Sequence, residues 1–365
     1  NPGASTLGGM NGYTDLQKAG LKIIVVDPRY SETASKADLW LPLRPGTDAA
    51  LALAMLRTII YEGLYDFDFV NQWCDGFEEL KAHVKEYTPE WAAPITWLDA
   101  DQIRQAARMY ATNRPGCIQW GCTWDQIGRA STTGSHAIAL IRAICGNLDV
   151  PGGQILPGTG AGHNESGFGF EKGVGEELQK KMIGLDQYPA YCMVILNAHA
   201  DLMLKALETG EPYPVKMGFY AGNNLMTCTS MEPKRWHDAI VSSLEFCIGF
   251  DTFMNASIEA SCDIFLPLKT VAERDGTVFT HYAPCTVTAG FMHKAIEVGE
   301  CMTDYELCYE MGRRLRPELW ENEFAFRSAK EFMEALRLGE RQDGAYFDKA
   351  SECVVSQIPV DYYKY

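Results

Sequence analysis

An internal repeat constrains the fold of this chain more than any other feature of its sequence. The first copy, residues 1–48, contains in order Asn1-Pro2, the β-branched run 23–26, Asp27, Ala37-Asp38 and Leu41-Pro42. The second copy, residues 222–267, contains in the same order Gly222-Asn223-Asn224, the apolar run 246–250, Asp251, Cys262-Asp263 and Leu266-Pro267. Matching positions are offset by 222 at the asparagines, 224 at Asp27 and Asp251, and 225 at the last two motifs. Matching order at nearly constant spacing predicts a duplicated structural unit.

The repeat also predicts where ligands bind. A short, fully apolar run is typical of a strand buried in a parallel sheet, and ligands of such sheets bind at the carboxyl ends of the strands. Asp27 and Asp251 follow two such runs, where a carboxylate can accept hydrogen bonds from a ribose diol. Asparagine and glycine at a strand end offer amide donors and close backbone approach to a phosphate. Either aspartate alone could simply stabilise the following turn, but the equal spacing of the pair favours a ligand role in two separate crevices.

The fold class that we predict is α/β, with two Rossmann-like domains of mostly parallel sheets flanked by helices and related by approximate internal duplication. The predicted strands are Ile23 to Val26, Leu39 to Leu43, Cys117 to Gly121, Met217 to Ala221 and Phe246 to Phe250. The predicted helices include Ala49 to Tyr61 with Thr47 as its N-cap, Phe67 to Tyr87, Asp99 to Thr112, His136 to Cys145 and Thr303 to Arg314. The domain boundaries that we predict are 1–150 for the first nucleotide-binding domain, 151–190 for a Gly-rich linker or loop, 191–312 for the second such domain, and 313–365 for a helical C-terminal extension.

Composition excludes some classes of partner. The 365 residues carry a net charge of −16, and no basic stretch offsets it, so nucleic acid is not an expected partner. No apolar run reaches the length of a membrane span. The twelve cysteines are scattered through a large α/β-like sequence, which favours free thiols. The sequence carries no targeting signal that would distinguish a cytoplasmic from a periplasmic location.

Longer motifs resemble a known family. The chain resembles the dimethyl-sulfoxide-reductase superfamily of molybdenum and tungsten enzymes at Val25 to Tyr30, at Ala37-Asp38, at Leu41-Pro42 and at Arg44-Pro45-Gly46-Thr47-Asp48-Ala49-Ala50-Leu51. The similarity continues through the segments 121–126, 140–153, 222–251, 263–267 and 273–277. It covers most of residues 1–280.

The resemblance implies a cofactor and a set of residues that bind it. Family members hold one molybdenum or tungsten atom with two molybdopterin guanine dinucleotides, and a pair of related α/β domains each takes one guanosine end. By that analogy Asp27 would bind a ribose, Arg29 would approach a phosphate or close a salt bridge, and Asp48, beside Gly46, would accept the N1 and N2 hydrogens of guanine. Further candidates are Asn1, Gly121 and Gln126 in the first half, and Gly222, Asn223, Asn224 and Asp251 in the second.

The resemblance has limits that define the expected function. The chain begins at the Asn-Pro motif, so we expect a central portion of a catalytic subunit, inactive alone, whose metal ligand and any iron–sulfur cysteines lie upstream. The intact enzyme would carry out two-electron redox chemistry or oxygen-atom transfer on a small molecule, with an iron–sulfur electron-transfer subunit as a further partner. Two alternatives stay open: a nicotinamide- or flavin-dependent oxidoreductase, although no G-x-G-x-x-G opens either half, and a non-catalytic nucleotide-binding fragment.

Overall fold

The fold is taken from a computed structural model of the chain. The structure describes residues 9–119, 130–155, 176–195, 197–279, 286–318, 346–348 and 353–357. These residues form two compact units, one from 9 to 155 and the other from 176 to 357. Both contain helices and a short parallel sheet, so the chain has a mixed α/β fold. Among the helices described, none combines the length and apolar character needed to cross a membrane.

The first unit packs helices around one buried helix and carries a two-stranded parallel sheet. Its elements are α1 (Gly9–Lys18), β1 (Ile24–Val26), β2 (Leu39–Leu41), α2 (Asp48–Tyr61), α3 (Phe67–Trp73), α4 (Phe77–Val84), α5 (Pro89–Thr96), α6 (Ala100–Thr112) and α7 (Ser131–Ile144). Helix α2 is apolar nearly all round, as expected for a helix covered on several sides. It contacts α4, α5, α6 and α7, and Leu56 and Ile59 are fully buried in the core that they share.

The second unit places helices on both faces of a three-stranded parallel sheet. Its elements are α8 (Glu176–Gln179), α9 (Pro189–Ile195), α10 (Ala200–Thr209), β3 (Met217–Ala221), α11 (Pro233–Ser243), β4 (Phe246–Asp251), α12 (Ala256–Ser261), β5 (Ile264–Pro267), β6 (Gly276–Phe279), β7 (Thr286–Met292), α13 (Asp304–Leu315), β8 (Tyr346–Asp348) and β9 (Cys353–Gln357). The parallel sheet has the order β3, β4, β5.

Alternate residues of the central strand β4 face opposite sides of this sheet. Cys247 packs in one core with Ile258 of α12 and with residues of α10 and α11. Ile248 and Phe250 pack in the other core with Leu307 of α13. Because both faces are covered, every residue of β4 from 247 to 250 is buried, which explains why the strand reads as a continuous apolar run.

Several predicted elements differ from those observed. The segment predicted as one helix from Phe67 to Tyr87 forms two helices, α3 and α4, because Gly76 adopts a left-handed backbone with φ +72° between them. Residues 117–119 are not in a strand, and the rest of the strand predicted there lies outside the described residues. Nine cysteines whose side chains the structure describes are free thiols, as predicted.

The C-terminal range was also expected to be helical, and the described part of it is not helical throughout. Helix α13 ends at Leu315, and strands β8 and β9 lie further along the chain. They join β6 and β7 in a four-stranded antiparallel sheet with the order β6, β7, β9, β8. The described sheets are thus two short parallel sheets, of two and three strands, and one antiparallel sheet of four strands, whereas mostly parallel sheets were predicted.

Candidate functional site

The carboxylate of Asp27 lies directly after β1 and is held by two donors. The backbone N–H of Arg29 donates to Oδ1 at 2.9 Å, and the hydroxyl of Ser31 donates to Oδ2 at 3.1 Å. The main chain is held as well, because Asp27 N–H donates to the Leu41 carbonyl at 3.2 Å and Trp40 Nε1 donates to the Asp27 carbonyl at 2.8 Å. A carboxylate accepts about four hydrogen bonds. Once the described donors are counted, each oxygen of Asp27 therefore retains one acceptor position.

The carboxylate of Asp251, the last residue of β4, accepts three hydrogen bonds. The backbone N–H and the hydroxyl of Thr252 donate to Oδ1 at 2.6 and 3.2 Å, and Nδ2 of Asn255 donates to Oδ2 at 3.1 Å. The same Nδ2 donates to the carbonyl of Asn223 at 3.2 Å. Since Asn223 follows the end of β3, one amide group connects the carboxyl ends of two neighbouring strands.

The other candidates of the second copy lie in the same place. Gly222 has φ +56°, a conformation that suits glycine, and its N–H donates to the Phe250 carbonyl at 3.1 Å. The Oδ1 atom of Asn224 accepts a hydrogen bond from the Ser257 hydroxyl at 2.7 Å. The structure therefore brings Gly222, Asn223, Asn224 and Asp251 together at the carboxyl edge of β3 and β4.

The two copies have the same backbone framework. Val26 of β1 lies opposite Leu41 of β2, and the residues at matching offsets, Phe250 and Leu266, lie opposite each other in β4 and β5. A second aspartate fixes the start of each pair of strands. Asp38 Oδ2 accepts from the Ile23 N–H at 2.9 Å, and Asp263 Oδ2 accepts from the Cys247 N–H at 2.8 Å. The repeat is thus present in strand register and in hydrogen bonds as well as in sequence.

Asp48 is the first residue of α2, and its environment differs from that of Asp27. Its side chain is half-buried, and no other described residue donates a hydrogen bond to its carboxylate or forms an ion pair with it. Desolvation by burial raises its pKa above the ordinary value of an aspartate. A carboxylate removed from water with few donors is destabilised unless a ligand supplies more of them. Asp48 is therefore suited to a ligand that presents N–H groups.

The residues just before Asp48 shape the entry into α2. Gly46 has φ +79°, in the left-handed region that glycine adopts without strain. The hydroxyl of Thr47 donates to the Arg44 carbonyl at 2.6 Å and accepts no hydrogen bond from the helix. Thr47 is thus the N-cap residue of α2, as predicted, but its side chain does not cap the helix. The positive end of the helix dipole still favours a negative charge at Asp48.

Glu273 occupies the position in the second copy that corresponds to Asp48, at an offset of 225 residues. Only 8% of Glu273 is exposed, and its Oε2 accepts from the N–H of Thr270 at 2.9 Å and from the Thr270 hydroxyl at 2.6 Å. These two hydrogen bonds lower the pKa of Glu273. The corresponding carboxylates of the two copies therefore differ in environment: Glu273 accepts hydrogen bonds from Thr270, whereas no other described residue donates to Asp48.

The remaining candidate residues are either exposed or outside the described residues. Arg29 is exposed, and its guanidinium forms no ion pair with any residue that the structure describes, so the salt bridge expected as one of its two roles is not formed there. Asn1, Gly121 and Gln126 lie outside the described residues. Groups of three or more His, Cys, Asp or Glu side chains that could hold a metal were not found in the described part of the chain.

Three further residues, which the sequence did not single out, bear on the site: two contact it and one is the counterpart of a site residue. Ser31 and Asn255 contact the aspartates at the strand ends, and Glu273 matches Asp48. The repeat itself was a signal for all three. Ser31 and Asn255 are 224 residues apart, Asp48 and Glu273 are 225 apart, and these are the offsets that define the repeat. The difference of residue type within each pair concealed the match.

The fold and this arrangement define a class of protein: a mixed α/β protein with polar side chains at the carboxyl ends of its parallel strands, where such proteins bind ligands. Comparison with known proteins identifies the family. A family model described as molybdopterin oxidoreductase matches residues 5–311. The chain therefore belongs to the molybdopterin oxidoreductase family, and the predicted membership of the dimethyl-sulfoxide-reductase superfamily is confirmed.

Individual relatives agree with this assignment. Acetylene hydratase of Syntrophotalea acetylenica is 36% identical over 284 residues, which are 70% of this chain and 38% of that protein. Formate dehydrogenase H of Escherichia coli K12 is 30% identical over 360 residues, which are 96% of this chain and 48% of that protein. The solved structure of acetylene hydratase from Pelobacter acetylenicus superposes with a TM-score of 0.78 at 28% identity, covering 98% of this chain and 52% of that one.

These matches also fix the extent of the chain relative to its family. It spans about half the length of the relatives that it matches, or less. Membership of the family implies a molybdopterin cofactor that carries molybdenum or tungsten.

Proposed function

We propose that the chain is the nucleotide-binding part of the catalytic subunit of a molybdenum or tungsten oxidoreductase. Each of its two units would take the guanosine end of one molybdopterin guanine dinucleotide, so that the protein binds the bis form of the cofactor. The observation that carries the proposal is the pair of aspartates, Asp27 and Asp251, held in matching hydrogen-bonded frameworks at the carboxyl ends of β1 and β4. Their remaining acceptor positions suit the hydroxyl groups of a ribose.

Asp48 is the residue that would select the base. Guanine presents two donors on one edge, at N1 and at the N2 amino group, and adenine presents no such pair. A half-buried carboxylate that receives no hydrogen bond from any other described residue complements that edge, because both of its oxygens can accept from the two N–H groups. Gly46 would allow the backbone turn that places Asp48 at the start of α2. Arg29, exposed and unpaired within the described residues, would approach a phosphate.

The other proposed contacts follow the same division between the two units. In the second unit, the strand-end amides of Gly222, Asn223 and Asn224 would contact the phosphates of the other nucleotide. Asn1, Gly121 and Gln126 complete the proposed set in the first unit.

When bound, the cofactor supplies two-electron redox chemistry at its metal, and the residues of this chain would bind and orient it and exclude water. The proposed substrate class is a small molecule, and the proposed partner is an iron–sulfur electron-transfer subunit. Fold alone does not identify the substrate, because one fold supports many reactions.

Nucleotide titrations of the full chain test the proposal. Calorimetry should detect GDP binding at two sites, with ADP bound more weakly at the site that Asp48 serves. Replacing Asp48 with Asn should lower GDP affinity at that site by about tenfold or more, because it loses a charged acceptor of two hydrogen bonds. The matched control is Asp68→Asn, which changes an exposed aspartate in the first turn of α3 and should change nothing. A preference for GDP over ADP that is equal in the Asp48 variant and in the parent would contradict the proposal.

A further inference from the structure

We infer that Ser31 and Asn255 are positioning residues, which orient the carboxylates of Asp27 and Asp251 toward a nucleotide ribose. The inference rests on the proposed function and adds two residues to it. They occupy the same place in the repeat, 224 residues apart, and each stands four residues after the aspartate that it contacts.

Asn255 uses its whole amide to fix the edge of the second sheet. Its Nδ2 donates to Oδ2 of Asp251 at 3.1 Å and to the Asn223 carbonyl at 3.2 Å. Its Oδ1 accepts from the N–H groups of Ser257 and Ile258, both at 3.1 Å, at the start of α12. One side chain therefore connects the end of β3, the end of β4 and the following helix.

Ser31 makes the corresponding contacts with a hydroxyl group. Its Oγ donates to Oδ2 of Asp27 at 3.1 Å and accepts from the N–H of Ala34 at 3.4 Å, at the start of the short 3-10 helix Ala34–Lys36. Ser31 is only 2% exposed. Two different residue types thus make the same pair of contacts, one with the carboxylate at the strand end and one with the next helix.

Helix capping alone does not explain this agreement. An acceptor at position 255 would be enough to cap α12, and aspartate or serine would provide it. The donor side of Asn255 serves a different purpose, since it binds the one oxygen of Asp251 that retains an acceptor position. That oxygen is where a ribose hydroxyl would approach, so its orientation depends on Asn255.

Three substitutions at position 255 separate the two roles. Asn255→Asp keeps the helix cap but removes the donor and places a second carboxylate beside Asp251. Asn255→Ala removes both the cap and the donor. Asn255→Ser keeps the cap and restores the type of donor that Ser31 provides in the first copy.

The test measures GDP binding by the full chain carrying Asp27→Ala, so that the second site is observed alone. We expect Asn255→Asp to weaken binding about tenfold while the melting temperature stays close to that of the parent. Asn255→Ser should bind within about threefold of the parent, a difference below 1 kcal/mol. Asn255→Ala should lose both affinity and thermal stability.

Asp251→Ala is the reference for loss of the site. If Asp251→Ala abolishes binding and Asn255→Asp binds as the parent does, the positioning role is overturned and the proposed function stands. If Asp251→Ala itself binds GDP normally, the proposed function fails at this site and the positioning role fails with it. The same comparison at Ser31→Ala, measured with Asp251→Ala in the background, repeats the test in the first copy.

Discussion

The two copies of the repeat share one backbone framework but differ in the environment of one carboxylate, Asp48 in the first copy and Glu273 in the second. Strand register and the aspartates that bind the backbone at 38 and 263 agree between them. Asp48 and Glu273 do not, because Thr270 donates two hydrogen bonds to Glu273, while Asp48 is desolvated and receives none from any other described residue. The comparison indicates that backbone pairing fixes the framework in both copies. The carboxylate at position 48 or 273 is not fixed by it, and it serves a structural role in one copy and suits ligand binding in the other.

The copies also differ at a pair of matching positions, one in the strand and one in the helix that follows it. The first copy has Val25 and Ala34, and the second has Gly249 and Ile258 at the same offset of 224. Each pair contributes four side-chain carbon atoms. A Cβ atom at Gly249 would lie 2.7 Å from Cγ2 and 2.8 Å from Cγ1 of Ile258. The glycine in β4 is therefore a requirement of the isoleucine packed over it.

The largest effect that we expect comes from placing a side chain at Gly249, against Ile258. Gly249→Val, which gives the second copy the residue of the first, should destabilise the protein by about 3 kcal/mol or more, because the β-branched Ile258 side chain cannot move aside in a packed core. Denaturant unfolding measures the change. The double variant Gly249→Val with Ile258→Ala should lose less than the sum of the two single variants, and an additive result would contradict the packing argument.

The next prediction sharpens the contrast between the two carboxylates. At pH 7, Glu273→Gln should lower the melting temperature, because the pKa of Glu273 is lowered by the Thr270 hydrogen bonds and its charged form stabilises the fold. Asp48→Asn should leave the melting temperature unchanged or raise it, because burial raises the pKa of Asp48 and its charged form is destabilising. Both shifts should be a few degrees at most. Changes of the same sign would show that the two sites are not in opposite states.

The smallest effect concerns acid stability at the start of the first copy. The hydrogen bond from the Ile23 N–H, with help from Lys22, lowers the pKa of Asp38 from its ordinary value in the folded state. The stability that this carboxylate contributes is present above its unfolded-state pKa and is lost as the pH falls through the folded-state pKa. Asp38→Asn should therefore make the stability depend less steeply on pH below about 4. Unfolding curves from pH 3 to 7 would measure this, and identical slopes would refute it.

The sequence was sufficient to predict the strands around the repeat, because each is an apolar run that ends at polar residues. The burial expected for these runs holds for β4 but not for β1, where Val26 is 44% exposed. It predicted Met217 to Ala221 with the observed bounds, and β4 to within one residue. It did not predict the break at Gly76, where a left-handed residue divides a segment with helical periodicity. It also did not predict the hydrogen bonds of Ser31 and Asn255, because a serine and an asparagine after a strand have the composition of any turn.

The Gly249 and Ile258 contact limits the order in which one copy can have changed into the other. Valine and isoleucine together would be destabilising, since that pair has seven side-chain carbon atoms where each copy has four. Glycine at 249 with alanine at 258 would be the better tolerated combination, because it leaves a cavity rather than a clash. A chimera of the two copies is subject to the same constraint, so the strand that carries position 249 and the helix that carries position 258 should be exchanged together.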